Sequence, residues 1–238
     1  MEYRIGCSGY HYDAWKNKFY PEGLEKEKWF DYYTEHFDTV EINNSFYKLP
    51  EKKNFETWYK NSPDKFLFTL KGSRYVTHMK KLKNIEDPVQ EFQKRASLLK
   101  EKLGCILWQL PGNQHMDLKK LEKFGEVLSN EFTHVIEFRH ETWFHPEVYD
   151  LMNDKKLTFC ILSAPNGLPA KAVSTSDTGY MRFHGKTDWY RYDYSEKELH
   201  DWYMRLSHLN VKKLFIYFNN DYMAHAPGNA LTMKKMIE

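Results

Sequence analysis

One device recurs along this chain of 238 residues: two chemically active side chains separated by a single residue, directly after a short apolar run. Glu41 and Asn43, Thr69 and Lys71, Glu137 and Arg139, Arg182 and His184, and Asn219 and Asp221 all follow it. On an extended strand that spacing puts both members of a pair on one face. Gln109 closes another apolar run, and His140 and Asn220 adjoin two of the pairs. A core has little use for so many polar strand ends, because each buried polar group must find a partner. Lys71, Arg139 and Arg182 among neutral donors such as Gln109, Asn219 and Asn220 suit an anion, which arginine grips bidentately. Glu137, His184 and Glu41 are the acid–base candidates beside it.

Each residue also has a plainer reading. A Glu137 pair with Arg139 or Arg182 serves equally as a structural ion pair, and His78, His140 and His184 as satisfied core or loop histidines. Trp15, Tyr47, Trp143 and Trp189 fall in expected mouth loops, where stacking on a ligand competes with packing under the loops. The convergence of the set is what points to a site.

The elements that must position these residues alternate. Expected strands are Tyr3–Gly6, Thr39–Ile42, Phe66–Leu70, Cys105–Gln109, His134–Phe138, Thr158–Leu162, Tyr180–Phe183 and Leu214–Phe218. Between them lie helical patterns with their own punctuation. Asp87 caps and Pro88 opens a helix whose apolar stripe runs Val89, Phe92, Ala96, Leu99 and Leu103, with Gly104 after its end. Leu118, Leu121, Phe124 and Leu128 line a second, and Pro146 opens a third. Ser195 and Glu198 form a capping box ahead of Leu199, Trp202, Tyr203 and Leu206. Pro165, Gly167 and Pro169 forbid a regular sixth helix between Ser163 and Thr178. Eight strand–helix units of this length predict a single (β/α)8 barrel domain over residues 1–238, with its site at the C-terminal strand ends and an open doubly wound sheet as the rival.

Bulk properties narrow the classes. The hydrophobic fraction of 41% and aromatic content of 17% support a sizeable core. A net charge of +2 offers no global field for nucleic acid, so anion binding must arise locally. Cys7, Cys105 and Cys160 stand far apart, as reduced thiols of a cytoplasmic protein do, and no apolar run approaches a membrane span.

The ordered motifs resemble a known family. Gly6-x-Ser8-Gly9-Tyr10 with Trp15 and Phe19-Tyr20-Pro21 comes first, then Val40-Glu41-Ile42-Asn43-x-Ser45-Phe46-Tyr47, Lys71 and Thr77-His78. Gln109-Leu110-Pro111, Glu137-Phe138-Arg139-His140-x-x-Trp143, Arg182-Phe183-His184-Gly185 and Asn219-Asn220-Asp221 complete the set. From about Ile5 to Leu231 this is similar to the domain-of-unknown-function 72, or YecE-like, family; Tyr10 stands where many members are expected to have tryptophan. The resemblance implies a (β/α)8 barrel loosely similar to the endonuclease IV and xylose-isomerase-like barrels, and it supplies no established reaction.

Strand positions then weigh the chemistries. Retaining glycosidases of the large barrel clan carry carboxylates after strands four and seven, where this chain has Gln109 and Arg182/His184. Metal hydrolases of the amidohydrolase kind need His-x-His on the first strand, which reads Arg4-Ile5-Gly6-Cys7-Ser8. Glu41, His78, Glu137, His184 and Asp221 are acceptable ligands for a divalent metal, but the cations crowding them argue against one, so no cofactor is expected. The expectation is a phosphate-bearing ligand, a small molecule or nucleic acid, lying against Arg139 or Arg182. Phosphoester hydrolysis is the concrete reaction, and non-catalytic nucleic-acid binding the alternative.

Overall fold

A computed structural model describes residues 1–237. Eight parallel strands form one sheet in the order β1-β8-β7-β6-β5-β4-β3-β2. They are β1 (Glu2–Cys7), β2 (Thr39–Ile42), β3 (Leu67–Lys71), β4 (Leu103–Gln109), β5 (His134–Glu137), β6 (Thr158–Ser163), β7 (Thr178–Phe183) and β8 (Lys213–Phe218). Helices α1 (Trp29–His36), α2 (Asn44–Tyr47), α3 (Lys52–Asn61), α4 (Glu86–Ala96), α5 (Leu118–Val127), α6 (Pro146–Asp154), α7 (Glu196–Ser207) and α8 (His225–Ile237) complete the alternation. The expected TIM-type barrel is what the chain forms. Residues 164–177, between β6 and β7, carry no helix, as the two prolines and glycine there require. Among the described residues no helix is long and apolar enough to cross a membrane.

Local signals hold with one correction. The capping box at the start of α7 is made: Ser195 Oγ accepts from Glu198 N at 3.3 Å, and Ser195 N donates to Glu198 Oε2 at 3.1 Å. Pro146 occupies the first turn of α6, and Asp117 caps α5 by accepting from Lys120 N. Asp87, however, does not cap α4. That helix begins at Glu86, so Pro88 sits in a first turn where its missing N–H costs nothing. Nor does Gly104 end it: 3-10 turns follow over Ser97–Lys102, and Gly104 lies inside β4. A Cβ there would come within 3.0 Å of the Phe215 ring, so the glycine makes room for a ring in the bore.

Strand residues facing outward pack with the helices in the main apolar cluster, which includes Ile5, Val40, Ile106, Ile136, Ile161 and Ile216. A second, smaller cluster fills the bore, with Cys105, Leu107, Val135, Cys160, Tyr180 and Phe215 among its members. An eight-stranded bore is just wide enough for side chains to fill it. Higher up it turns polar: Tyr217 Oη bonds to Thr39 Oγ1 at 2.6 Å and to Thr69 Oγ1 at 2.9 Å.

The seam between β1 and β2 carries no direct ladder. A tyrosine hydroxyl from α1 closes it. Cys7 N donates to Tyr33 Oη at 2.8 Å, and that hydroxyl donates to Thr39 O at 2.9 Å. Gly6 permits the approach, since a Cβ there would stand 2.2 Å from Thr39 O. Tyr33→Phe strands a buried N–H and a buried carbonyl at once, and is expected to cost about 2–4 kcal/mol of unfolding free energy in urea titration. A change below ~0.5 kcal/mol would show that the seam closes without the hydroxyl.

Candidate functional site

The inward faces of β2, β5 and β7 deliver Glu41, Glu137 and Arg182 to one level of the bore, and all three are fully buried. Arg182 donates Nη2 to Glu41 Oε1 at 2.6 Å and Nη1 to Glu137 Oε2 at 2.5 Å. Tyr180, two residues earlier on β7, gives its hydroxyl to Glu41 Oε2 at 2.5 Å. Glu137 Oε1 receives Arg139 Nε, and Arg139 Nη2 donates to His184 Nε2 at 2.9 Å. The Asn219 carboxamide lies 3.0 Å from His184 Nδ1. A single connected network therefore runs from Tyr180 through Glu41, Arg182, Glu137, Arg139 and His184 to Asn219.

Its electrostatics follow from burial plus pairing. Burial opposes ionisation of Glu137, yet the guanidinium groups of Arg139 and Arg182 overcome it and hold the carboxyl well below its usual range. Burial and the same two arginines push His184 far below the ordinary imidazole value, so it stays neutral. Its two ring nitrogens face nitrogen donors, Arg139 Nη2 at Nε2 and Asn219 Nδ2 at Nδ1. Two carboxylates and two guanidiniums leave this network without net charge.

Beside it stands a cation with no such partner. Lys71, at the end of β3, has its Nζ 4.4 Å from the centroid of the Phe46 ring and makes no hydrogen bond or ion pair. Burial and the nearby Arg182 guanidinium push its ammonium down to about 8, against the pull of Glu137 and Glu41. His78 meets the same Phe46 ring edge-on at 5.1 Å; burial and Lys71 lower its pKa. Across the mouth, partial burial raises the Asp221 carboxyl to about 6.

An open cleft of about 530 Å³ adjoins the network between the β4, β5, β6 and β7 loops. Gln109, Arg139, His140 and Trp189 line it, and the helix-free β6–β7 segment supplies Asn166, Gly167 and Leu168 as one wall. Trp189 packs its ring 4.5 Å from the Arg139 guanidinium carbon. His140 bonds Thr142 Oγ1 through Nδ1 and stacks on His115.

The expected residues therefore divide. Glu41, Glu137, Arg139, Arg182, His184 and Asn219 converge, with Lys71, His78 and Asp221 around them and Gln109 and His140 on the cleft. Trp15 and Trp143 do not reach the mouth surface. Trp15 is buried with Nε1 donating to the Asp221 carbonyl, and Trp143 is stacked on Phe138 with Nε1 donating to Gln114 O. Asn220 turns away from the cleft and pins the β7–α7 loop, donating to Tyr192 O and Asn229 Oδ1. Tyr47 projects from α2 with 77% of its surface exposed and is not part of the cleft. Arg182, expected against the ligand, is sealed between its carboxylates. The metal ligands considered from sequence do not assemble: among the described residues no three of His, Cys, Asp and Glu stand as a metal-holding group. Phe46 and Tyr180 went unrecognised, although Phe46 lies within a quoted motif and Tyr180 precedes Arg182 by the same two-residue step.

Because Arg182 compensates two fully buried carboxylates, Arg182→Gln is expected to cost about 3–5 kcal/mol in denaturant titration at neutral pH. A loss under ~1 kcal/mol would mean the carboxylates are not held as described.

Relatives agree with this architecture. The chain is similar to the UPF0759 protein YunF of Bacillus subtilis, at 25% identity over 93% of this chain and 91% of that one. The UPF0759 protein YecE of Escherichia coli matches at 33% identity over 47% of this chain and 42% of its own length. Among solved structures, a DUF72 family protein from Thermotoga maritima superposes with a TM-score of 0.92 at 30% identity, covering 100% of this chain and 99% of that one. Another, from Enterococcus faecalis, shares the fold at a TM-score of 0.85 and 22% identity, with 99% and 95% covered. Residues 4–238 match the family described as protein of unknown function DUF72, and the chain belongs to that family.

Proposed function

We propose that the barrel mouth binds a phosphate-bearing ligand, with Arg139 as its main contact. The observation that carries this reading is the unequal fate of the two arginines. Arg182 spends both terminal nitrogens on carboxylates and has no exposed side-chain surface. Arg139 spends Nε and Nη2, keeps 10% of its side chain exposed on the cleft, and makes no protein hydrogen bond through Nη1. A guanidinium held at a fixed angle with one edge free is pre-organised for an anion. Trp189 beneath it restricts its motion further.

The surroundings fit. Gln109 and the Nε2 edge of His140 line the same cleft, whose volume suits a small phosphate ester or a terminal nucleotide. Lys71, beside the network and without an ion pair, adds a positive charge that the network does not cancel. Glu41, Glu137 and His184, the sequence candidates for acid–base work, are buried and held by Arg182 or Arg139, so their geometry suits positioning rather than proton transfer. Should a phosphoester be cleaved here, Asp221 is the mouth carboxyl that changes protonation near neutral pH.

Calorimetric titration with inorganic phosphate, a phosphate monoester and a short oligonucleotide tests this. Arg139→Gln is expected to weaken binding ~10-fold or more, the worth of a charge-assisted hydrogen bond. Affinity should also fall as pH rises above about 8, where Lys71 loses its proton. Binding unchanged in Arg139→Gln, or indifferent to salt, would overturn the reading.

A further inference from the structure

We propose that Lys71 is a nucleophile that forms an imine with the carbonyl group of an aldehyde or ketone bound at the mouth. The proposal rests on the phosphate-binding reading for the second half of the substrate, a phosphate that Arg139 holds while the carbonyl faces Lys71.

Amine nucleophiles need a lone pair near neutral pH and freedom from competing bonds. Lys71 has both. Its Nζ makes no hydrogen bond and no ion pair, resting only on the Phe46 ring. The nearby carboxylates bond elsewhere, Glu41 accepting from Arg182 and Tyr180, and Glu137 from Arg182 and Arg139. Burial above all, then the Arg182 guanidinium on β7 and to a lesser extent Arg139, bring the ammonium down to about 8 against the pull of Glu137 and Glu41. A lysine needed only for packing on Phe46 has no use for such surroundings. One needed only as a counter-charge is weakened by them.

The accessory proton carrier is also in place. Thr77 Oγ1 donates to Ser73 O at 3.3 Å, so it accepts from His78 Nδ1 at 2.9 Å. That leaves His78 Nε2 with a lone pair and no protein partner, on the ring that also carries Lys71. Burial and the neighbouring cations keep His78 neutral and therefore able to accept a proton.

The step balances without an added oxidant or reductant. The Nζ lone pair attacks the carbonyl carbon, the C=O π pair moves to oxygen, and His78 takes the proton released by nitrogen. Returned to the alkoxide oxygen, that proton gives the carbinolamine; the second N–H proton then passes to its hydroxyl, which leaves as water while the nitrogen lone pair forms the C=N bond. Amine plus carbonyl gives imine plus water.

Reductive trapping is the direct test. The full chain is incubated with glyceraldehyde 3-phosphate or with unphosphorylated glyceraldehyde, reduced with borohydride, and mapped by peptide mass spectrometry. The expected result is a reduced adduct on Lys71 at least tenfold above any surface lysine. It should be lost in Lys71→Arg, slowed at least tenfold in His78→Gln, and suppressed by excess inorganic phosphate for the phosphorylated probe. The distribution among wild-type lysines decides the matter even if Lys71→Arg folds poorly. Labelling spread evenly over the lysines, or no adduct on a protein that still binds inorganic phosphate through Arg139, overturns the nucleophile and leaves the anion site standing. Selective trapping by glyceraldehyde on a protein that does not bind phosphate supports the nucleophile and overturns the phosphate reading.

Discussion

A guanidinium without solvent, held between carboxylates from opposite parts of the barrel, is the constraint on which the mouth depends. Arg182 spans the bore from β7 to β2 and to β5, and a unit charge at that depth tolerates no misplacement. Because Glu41 must meet Arg182 with one oxygen, its other is turned toward Tyr180. Because Glu137 meets Arg182 with Oε2, its Oε1 is left to orient Arg139, which in turn fixes the ring of His184. Each step removes a rotational freedom from the next side chain, and the last members stand at the edge of open space.

Such an arrangement is costly if its purpose is stability alone. Replacing buried ion pairs by apolar side chains of similar volume is often neutral or stabilising. Below this level the bore is already filled with Phe215, Val135 and Cys105, so apolar filling was available. The network instead ends in an arginine with a free edge and stands beside a lysine with no partner. Sites that bind or react commonly break local rules of pairing and compensate around them, and Lys71 over Phe46 is such a breach.

The sequence announced the barrel and the level of its site through one periodicity. Glu137 and Arg139, or Arg182 and His184, lie two apart at strand ends, so a single inward face was enough to predict their meeting. Depth was not legible in the same way. Arg182 lies inside β7, in register with Leu162 and Tyr217, while Arg139 lies two residues past the last residue of β5. The first is sealed for that reason, and the second reaches solvent. Sequence alone treated them as equals. Trp15 and Trp143 were misplaced because an aromatic in a mouth loop packs downward as readily as it faces a ligand. The Tyr33 bridge had no local signal at all, since it joins a helix to two strands that never pair.

The central claim is that one arginine of this network receives the ligand while the other holds the frame. Side-chain NMR of the arginine guanidinium groups, followed through a titration with inorganic phosphate, separates the two directly. The account predicts a saturable shift of the Arg139 resonances with those of Arg182 nearly unmoved. Equal shifts at both arginines, or none at Arg139 while phosphate binds elsewhere, would contradict it.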